Sequence, residues 1–149
     1  MKILLIILLS LFITGLIYFI YLGFKSQNGA APGLVDSRLS RCSDKPNCIC
    51  TEYPNHKLHY TNAISYDELF LDKLARAIKS TGGTISTNQD NYIAATYTSR
   101  LFRYVDDFEL RIDTENKLIH IRSASRVGHS DMGANLKRIE NFKTTLESL

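Results

Sequence analysis

From Ile3 to Phe24 the chain runs for 22 residues without a charged side chain. A helix of that length, rising about 1.5 Å per residue, covers about 33 Å, enough to cross the roughly 30 Å hydrocarbon core of a bilayer. The run is apolar on every face, so it has no polar side to turn toward water in a globular fold. Tyr18 and Tyr21 stand toward its C-terminal end, where amphipathic rings suit the membrane interface. The apolar region of a signal peptide is usually only about 7–15 residues, and the nearest small-residue stretch, Gly29-Ala30-Ala31, runs into Pro32. The expectation is an uncleaved single-pass anchor over residues 1–25, meeting the lipid bilayer through residues 3–24. Lys2 and the terminal amine precede the span, and Lys25 stands alone behind it until Arg38. That balance favours an inside N-terminus and a soluble domain facing away from the cytoplasm, in the cell envelope.

The net charge of +3 belongs largely to the flanks of this run. Lys2 and Lys25 are two of 18 basic residues, leaving 16 against 15 acidic ones elsewhere. A remainder of +1 is no electrostatic footprint for nucleic acid, and no nucleic-acid partner is expected.

Residues 26–40 read as a juxtamembrane linker, with Gly29, Pro32 and Gly33 and no periodicity. Residues 41–149 read as one domain. Its first part, to about Thr61, carries three cysteines and two prolines and is expected to be irregular, with a short strand near Lys57–Tyr60. Ser65 and Glu68 have the spacing of a capping box, opening a helix whose apolar face is Leu69, Phe70, Leu74, Ala77 and Ile78, ended by Gly82-Gly83. Four strand patterns follow, at Thr84–Thr87, Tyr92–Ser99, Tyr104–Asp113 and Leu118–Ser123, separated by polar turns. In the third, Phe108, Leu110 and Ile112 alternate with Glu109, Arg111 and Asp113. If Leu110 pairs with Ile121, Glu109 faces Arg122 on the solvent side and Asp106 lies near Ser125. A last helix is expected from about Asp131 as N-cap, with Met132, Leu136, Ile139, Phe142, Leu146 and Leu149 as its stripe. The fold class is α+β: an antiparallel sheet of about four strands with two helices on one face, preceded by the apolar helix.

Three segments carry a resemblance. Arg41-Cys42 with Pro46-Asn47-Cys48, Val105-Asp106-Asp107-Phe108-Glu109, and the long run from Arg122 through Ser123, Ser125, Arg126, Gly128, His129, Ser130 and Asp131 to Asn135, ending Lys137-Arg138-Ile139-Glu140, resemble the bacterial and plastid DUF1499 family over roughly residues 41–143. The resemblance implies no established activity or substrate. The chain departs from the family pattern at His129, where an aromatic residue is common, at Cys50, where serine is usual, and at Arg103, which replaces a small residue.

For an exported domain, Cys42 and Cys48 are most simply a disulfide. A metal centre drawing on Cys42, Cys48, Cys50, His56 and His59 is the sharper alternative, but C-x₅-C-x-C is not a zinc spacing. A nucleophilic thiol needs a base, and the sequence identifies none. No cofactor is expected.

Asp106 and Asp107 are adjacent on a strand, so their side chains point to opposite faces and cannot work as an acid–base pair. Asp106 shares the face of Phe108 and needs a cation; Arg126 is the better candidate, Arg122 the other, and the simplest role of such a pair is to fasten the loop to the sheet. The loop runs into a helix N-terminus, where free amides, the hydroxyls of Ser123, Ser125 and Ser130 and the Arg126 fork suit an anion, although Asp131 as a cap would compete. It lacks the spacing of a phosphate loop and contains no nucleophile elbow. His120 and His129 read as surface or loop residues. The candidate binding surface is thus Arg122, Ser123, Ser125, Arg126, His129, Ser130, Asp131 and Asn135, backed by Asp106. The favoured function is a non-catalytic binding or accessory module for a small polar or anionic ligand or a membrane-protein partner. The alternative is an enzyme acting on a small polar or anionic substrate at the same loop.

Overall fold

A computed structural model describes residues 1–68 and 71–149. The apolar run forms one helix, α1 (Lys2–Gln27), long and apolar enough to cross a membrane and exposed along most of its length, with Gly23 and Ser26 buried and Gly15 and Leu22 half-buried. The rest is α+β. A two-residue hairpin, β1 (Leu34–Val35) and β2 (Arg38–Leu39), precedes a six-stranded sheet of β3 (Cys48–Cys50), β4 (Ile64–Ser65), β5 (Thr84–Gln89), β6 (Tyr92–Thr98), β7 (Val105–Asp113) and β8 (Leu118–Ser125). Helices α2 (Leu71–Ser80) and α3 (Ala134–Ser148) complete it. The order across the sheet is β3-β8-β7-β6-β5, all antiparallel, with β4 pairing the N-terminal end of β8 beside β3.

The four strands expected from alternation are β5 to β8, and the register is the one inferred: Leu110 opposite Ile121, Glu109 opposite Arg122, Asp106 opposite Ser125. One face of the sheet presents Ile93, Ala95, Tyr97, Phe108, Leu110, Ile112, Ile119 and Ile121, buried under Leu74, Ala77 and Ile78 of α2 and Ile139 and Phe142 of α3. Both helices therefore lie on one face, as period-2 strands with one apolar side require.

Several local expectations are corrected. Ser65 lies in β4, paired with Leu118, so it is not the cap of α2, and no capping box with Glu68 forms. Leu69 and Phe70 lie outside the described residues. Lys57–His59 is a single 3-10 turn rather than a strand; the strand is Cys48–Cys50, too short to leave a pattern. Helix α3 runs from Ala134, after a turn in which Met132 and Gly133 both take positive φ. Met132 is consequently fully exposed and Leu136 also faces water; the buried stripe is Asn135, Ile139 and Phe142.

The largest difference is on the second face of the sheet. Alternation marked Asp107, Glu109, Arg111 and Arg122 as solvent-facing. Residues 29–42, including most of the segment expected as a linker, fold over that face instead, joined by Tyr53 beyond β3. Leu39, Cys42, Cys48 and Cys50 pack on Tyr92, Ala94 and Ala124 there as a second apolar cluster. Glu109 is 0% exposed.

Candidate functional site

The second face is a layer of ion pairs closed over by irregular chain. Glu52, buried, accepts from Arg38 Nε at 2.8 Å and from Arg111 Nε. Glu109 accepts from Arg122 Nη1 at 2.7 Å, from the Tyr92 hydroxyl at 2.7 Å and from the Gly33 amide at 3.1 Å. Burial and the carboxylate of Glu109 raise the Tyr92 hydroxyl above its ordinary range, so it stays a donor. Asp107 holds Arg126 in a bidentate clasp, from Nε at 3.0 Å and Nη2 at 2.6 Å.

The expected Asp106–Arg126 pair is thus not formed. In an extended strand side chains alternate, so Arg122, Ala124 and Arg126 share a face with Asp107 and Glu109, while Asp106 shares the other with Ser125. Asp106 is met there by Arg138 of α3, Nη2 to Oδ2 at 2.7 Å. Arg138 also donates to Ser123 and Asn135 and lies 4.8 Å above the Tyr97 ring. Arg138 was missed as a site residue, although it sits three residues after Asn135 and so on the same helix face.

Arg126 has a second duty. Its Nη1 donates at 3.0 Å to the carbonyl of Ser26, in the last turn of α1. A cation on a free C-terminal carbonyl both satisfies the oxygen and opposes the negative end of the helix dipole. Gly29 passes directly over this side chain; a Cβ there would stand 2.9 Å from Arg126 Cδ. The conspicuous arginine of the loop is therefore spent on joining α1 to the sheet.

Asn135, fully buried, is the hub of the remaining loop. It accepts from the Ser123 hydroxyl at 2.6 Å and donates to the Asn47 carbonyl at 2.9 Å and the Ser125 hydroxyl at 3.0 Å. Asn47 in turn donates to the Gly128 carbonyl at 3.1 Å. The N-cap of α3 is Gly133 rather than Asp131, but Asp131, two residues earlier, still accepts from the amides of Gly133 at 3.0 Å and Asn135 at 2.7 Å. Gly128 takes φ +86°, the left-handed conformation that glycine allows.

The candidate residues fall into two groups. Arg122, Ser123, Arg126 and Asn135 are turned inward and committed to protein partners. Asp106, Ser125, His129, Ser130 and Asp131 line a cleft of about 460 Å³ with Val127, Gly128 and Ala134. Its other wall is Tyr18, Phe19 and Leu22 of α1, with Ser99 and Tyr104 from the β6–β7 turn. The cleft is polar on the loop side and apolar on the α1 side. Arg138 is held by Asp106 and Arg126 by Asp107, and among the described residues no arginine or lysine lines the cleft.

Cys42 and Cys48 form a disulfide, and so leave the set of metal ligands considered. Cys50 is a buried free thiol, pushed by burial up to about 11, far from the low values of nucleophilic thiols. His120 Nδ1 lies 3.2 Å from Thr51 Oγ1 and its Nε2 3.9 Å from Asp113, an order reminiscent of a relay. Thr51 is buried, however, and its oxygen already accepts from the Ile121 amide at 2.9 Å, so no substrate reaches it.

Burial lowers the affinity of His120 for a proton. The unfolded state then binds more protons than the folded one, so stability is fully present above the ordinary histidine range and declines as pH falls through it. His120→Asn should flatten the slope of stability between about pH 7 and 5. Thermal unfolding at a series of pH values checks this; an unchanged slope would exclude His120 as its source.

Residues 38–146 match the family model described as "Protein of unknown function (DUF1499)". No curated protein matches the chain.

Proposed function

The chain belongs to the DUF1499 family, and we propose that this member is a membrane-anchored, non-catalytic binding module of the cell envelope. Helix α1 is its single span, the chain from Asn28 onward is the domain it carries, with the 29–40 stretch packed on the sheet rather than free as a linker, and the domain faces away from the cytoplasm. The Cys42–Cys48 disulfide supports that side, since such bonds persist in oxidising compartments. The binding surface is the cleft between α1 and the loop at 127–134.

One observation carries the reading: a cleft with a polar loop wall and an apolar wall made by the anchor itself. Its chemistry fits a small polar group attached to an apolar chain, as in the headgroup region of a lipid, better than a free anion. His129 and Ser130, both exposed, are the side chains left to address the polar end.

Ala134, the exposed first residue of α3, lines the cleft, so Ala134→Trp fills it without touching either core. Native mass spectrometry of the full chain released from lipid nanodiscs should show a retained non-covalent lipid on the unsubstituted protein and its loss in A134W. Bare protein in both, or equal retention in both, would reject the cleft as a binding site.

A further inference from the structure

Opposite the loop, the turn between β6 and β7 stands against α1. It is closed by the Ser99 amide donating to the Tyr104 carbonyl at 2.8 Å and the Tyr104 amide to Ser99 Oγ at 2.9 Å. Between them lie Arg100, Leu101, Phe102 and Arg103. Leu101 is 80% exposed, though nothing about the turn requires a large apolar side chain in water. Phe102 stacks on Phe19 of α1 with ring centroids 5.3 Å apart, and on Tyr104 at 5.7 Å. Gly23 lets α1 press against the turn: a Cβ there would lie 2.0 Å from the Phe102 carbonyl oxygen. The Val105 amide donates to Ser26 Oγ at 3.0 Å, fixing the height of the turn along the helix.

That height carries the argument, which rests on α1 being a membrane span. Phe19 is five residues before Phe24, about 8 Å inside the C-terminal end of the apolar run. If the bilayer stopped below the turn, only Ile3–Tyr18 would remain to cross it, 16 residues and about 24 Å, short of a hydrocarbon core of about 30 Å. We infer that the β6–β7 turn is a second membrane-contacting element, with Leu101 and Phe102 seated at the boundary of headgroups and acyl chains and Arg100 and Arg103 among the phosphates. The depth of about 8 Å agrees with the roughly 5–10 Å burial of amphipathic elements lying in the interface. Exposed arginines on either side of the apolar pair complement anionic headgroups and keep their charge out of the hydrocarbon. The domain would then be held in one orientation on the bilayer rather than swinging from a tether.

The chain contains no tryptophan, so single introduced indoles report without background. Leu101→Trp places one at the turn and Phe12→Trp one in the middle of α1, both at exposed positions. The full chain is reconstituted in vesicles of phosphatidylcholine and phosphatidylglycerol carrying bromine high on the acyl chain or near its end. L101W should show blue-shifted emission and be quenched at least about threefold more by bromine near the headgroups than by bromine at the chain ends. F12W should show the reverse preference. Hydrated emission from L101W, quenched by aqueous acrylamide and not by bromolipid, together with a lipid-quenched F12W, would overturn the inference alone. F12W unquenched by either lipid would overturn the membrane span and the inference with it.

Discussion

Arg122→Met should destabilise the domain by about 3–5 kcal/mol, the cost of leaving one partner of a buried ion pair without the other. Glu109 is fully buried, and Arg122 is its only charged partner among the described residues. Removing the guanidinium leaves a carboxylate with two neutral donors, Tyr92 and Gly33, beneath the cluster around Leu39 and Cys50. A domain of this size has a stability of about 5–15 kcal/mol, so the loss is a large part of the whole and should lower the melting temperature by more than about 10 °C. Thermal unfolding of the full chain in mild detergent, followed by the near-ultraviolet signal of its tyrosines, measures it. The double variant E109Q/R122M should recover at least half of the loss. The glutamine keeps an acceptor for Tyr92 and Gly33 without the charge, and methionine removes a buried Arg122 Nε that has no hydrogen-bond partner. A single variant within about 1 kcal/mol of the parent would mean that the pair is solvated and the covering of this face is loose.

That face marks the boundary of what local pattern reveals. The helix-side core was legible because Phe108, Leu110 and Ile112 repeat with the period of a strand, and the register because Ile119 and Ile121 offered one consistent match. The intervening Asp107, Glu109, Arg111 and Arg122 have the same period and read as a wet surface. What buries them is a segment without periodicity, joined across long stretches of chain: Gly33 to Glu109, Arg38 to Glu52, Ser26 to Arg126. No window of residues contains that information. The pairing of Arg126 was within reach, since alternation carried four residues past Arg122, through Ala124, places it on the face of Asp107. Preference for the aspartate nearer the apolar face led to Asp106 instead. Arg138 was hidden differently, because a helix residue can meet a strand carboxylate only once the helix is docked.

These contacts change the meaning of the loop. A run dense in hydrogen-bonding side chains looks like a binding site when read alone. In the fold it joins four pieces of chain: α1 through Arg126, the Asn47 segment through Asn135, the sheet through Ser123 and Ser125, and α3 through Asp131 and Arg138. Position of the anchor and integrity of the domain are thereby set by the same residues. The cleft lies beside that junction, and its polar wall combines partnered side chains, Asp106, Ser125 and Asp131, with the exposed His129 and Ser130.

The hub of that junction gives the second large effect. Asn135→Ala removes four side-chain hydrogen bonds, to Ser123, Ser125, Asn47 and Arg138, at a fully buried position. At about 0.5–1.5 kcal/mol net for each, the loss is about 2–6 kcal/mol, with only a few tenths returned by the better helix propensity of alanine. Ser123 keeps Arg138, and the Asn47 carbonyl keeps the Ser125 amide, so the cost stays below a full set of orphaned groups. Ser125 Oγ loses its donor. Asn135→Asp separates shape from chemistry. It preserves the volume and the acceptor toward Ser123 and Arg138, yet turns an oxygen toward the Asn47 carbonyl where a donor stood. If the junction depends on that donor, N135D should be destabilised to an extent comparable with N135A; if filling the space were sufficient, it would match the parent. Ser130→Ala, at an exposed position whose hydroxyl accepts from the Met132 amide at 3.3 Å, should cost less than about 0.5 kcal/mol. Equal stability of N135A and S130A would show that the loop is not the clasp of the fold, and would return Asn135 to the residues available for a ligand.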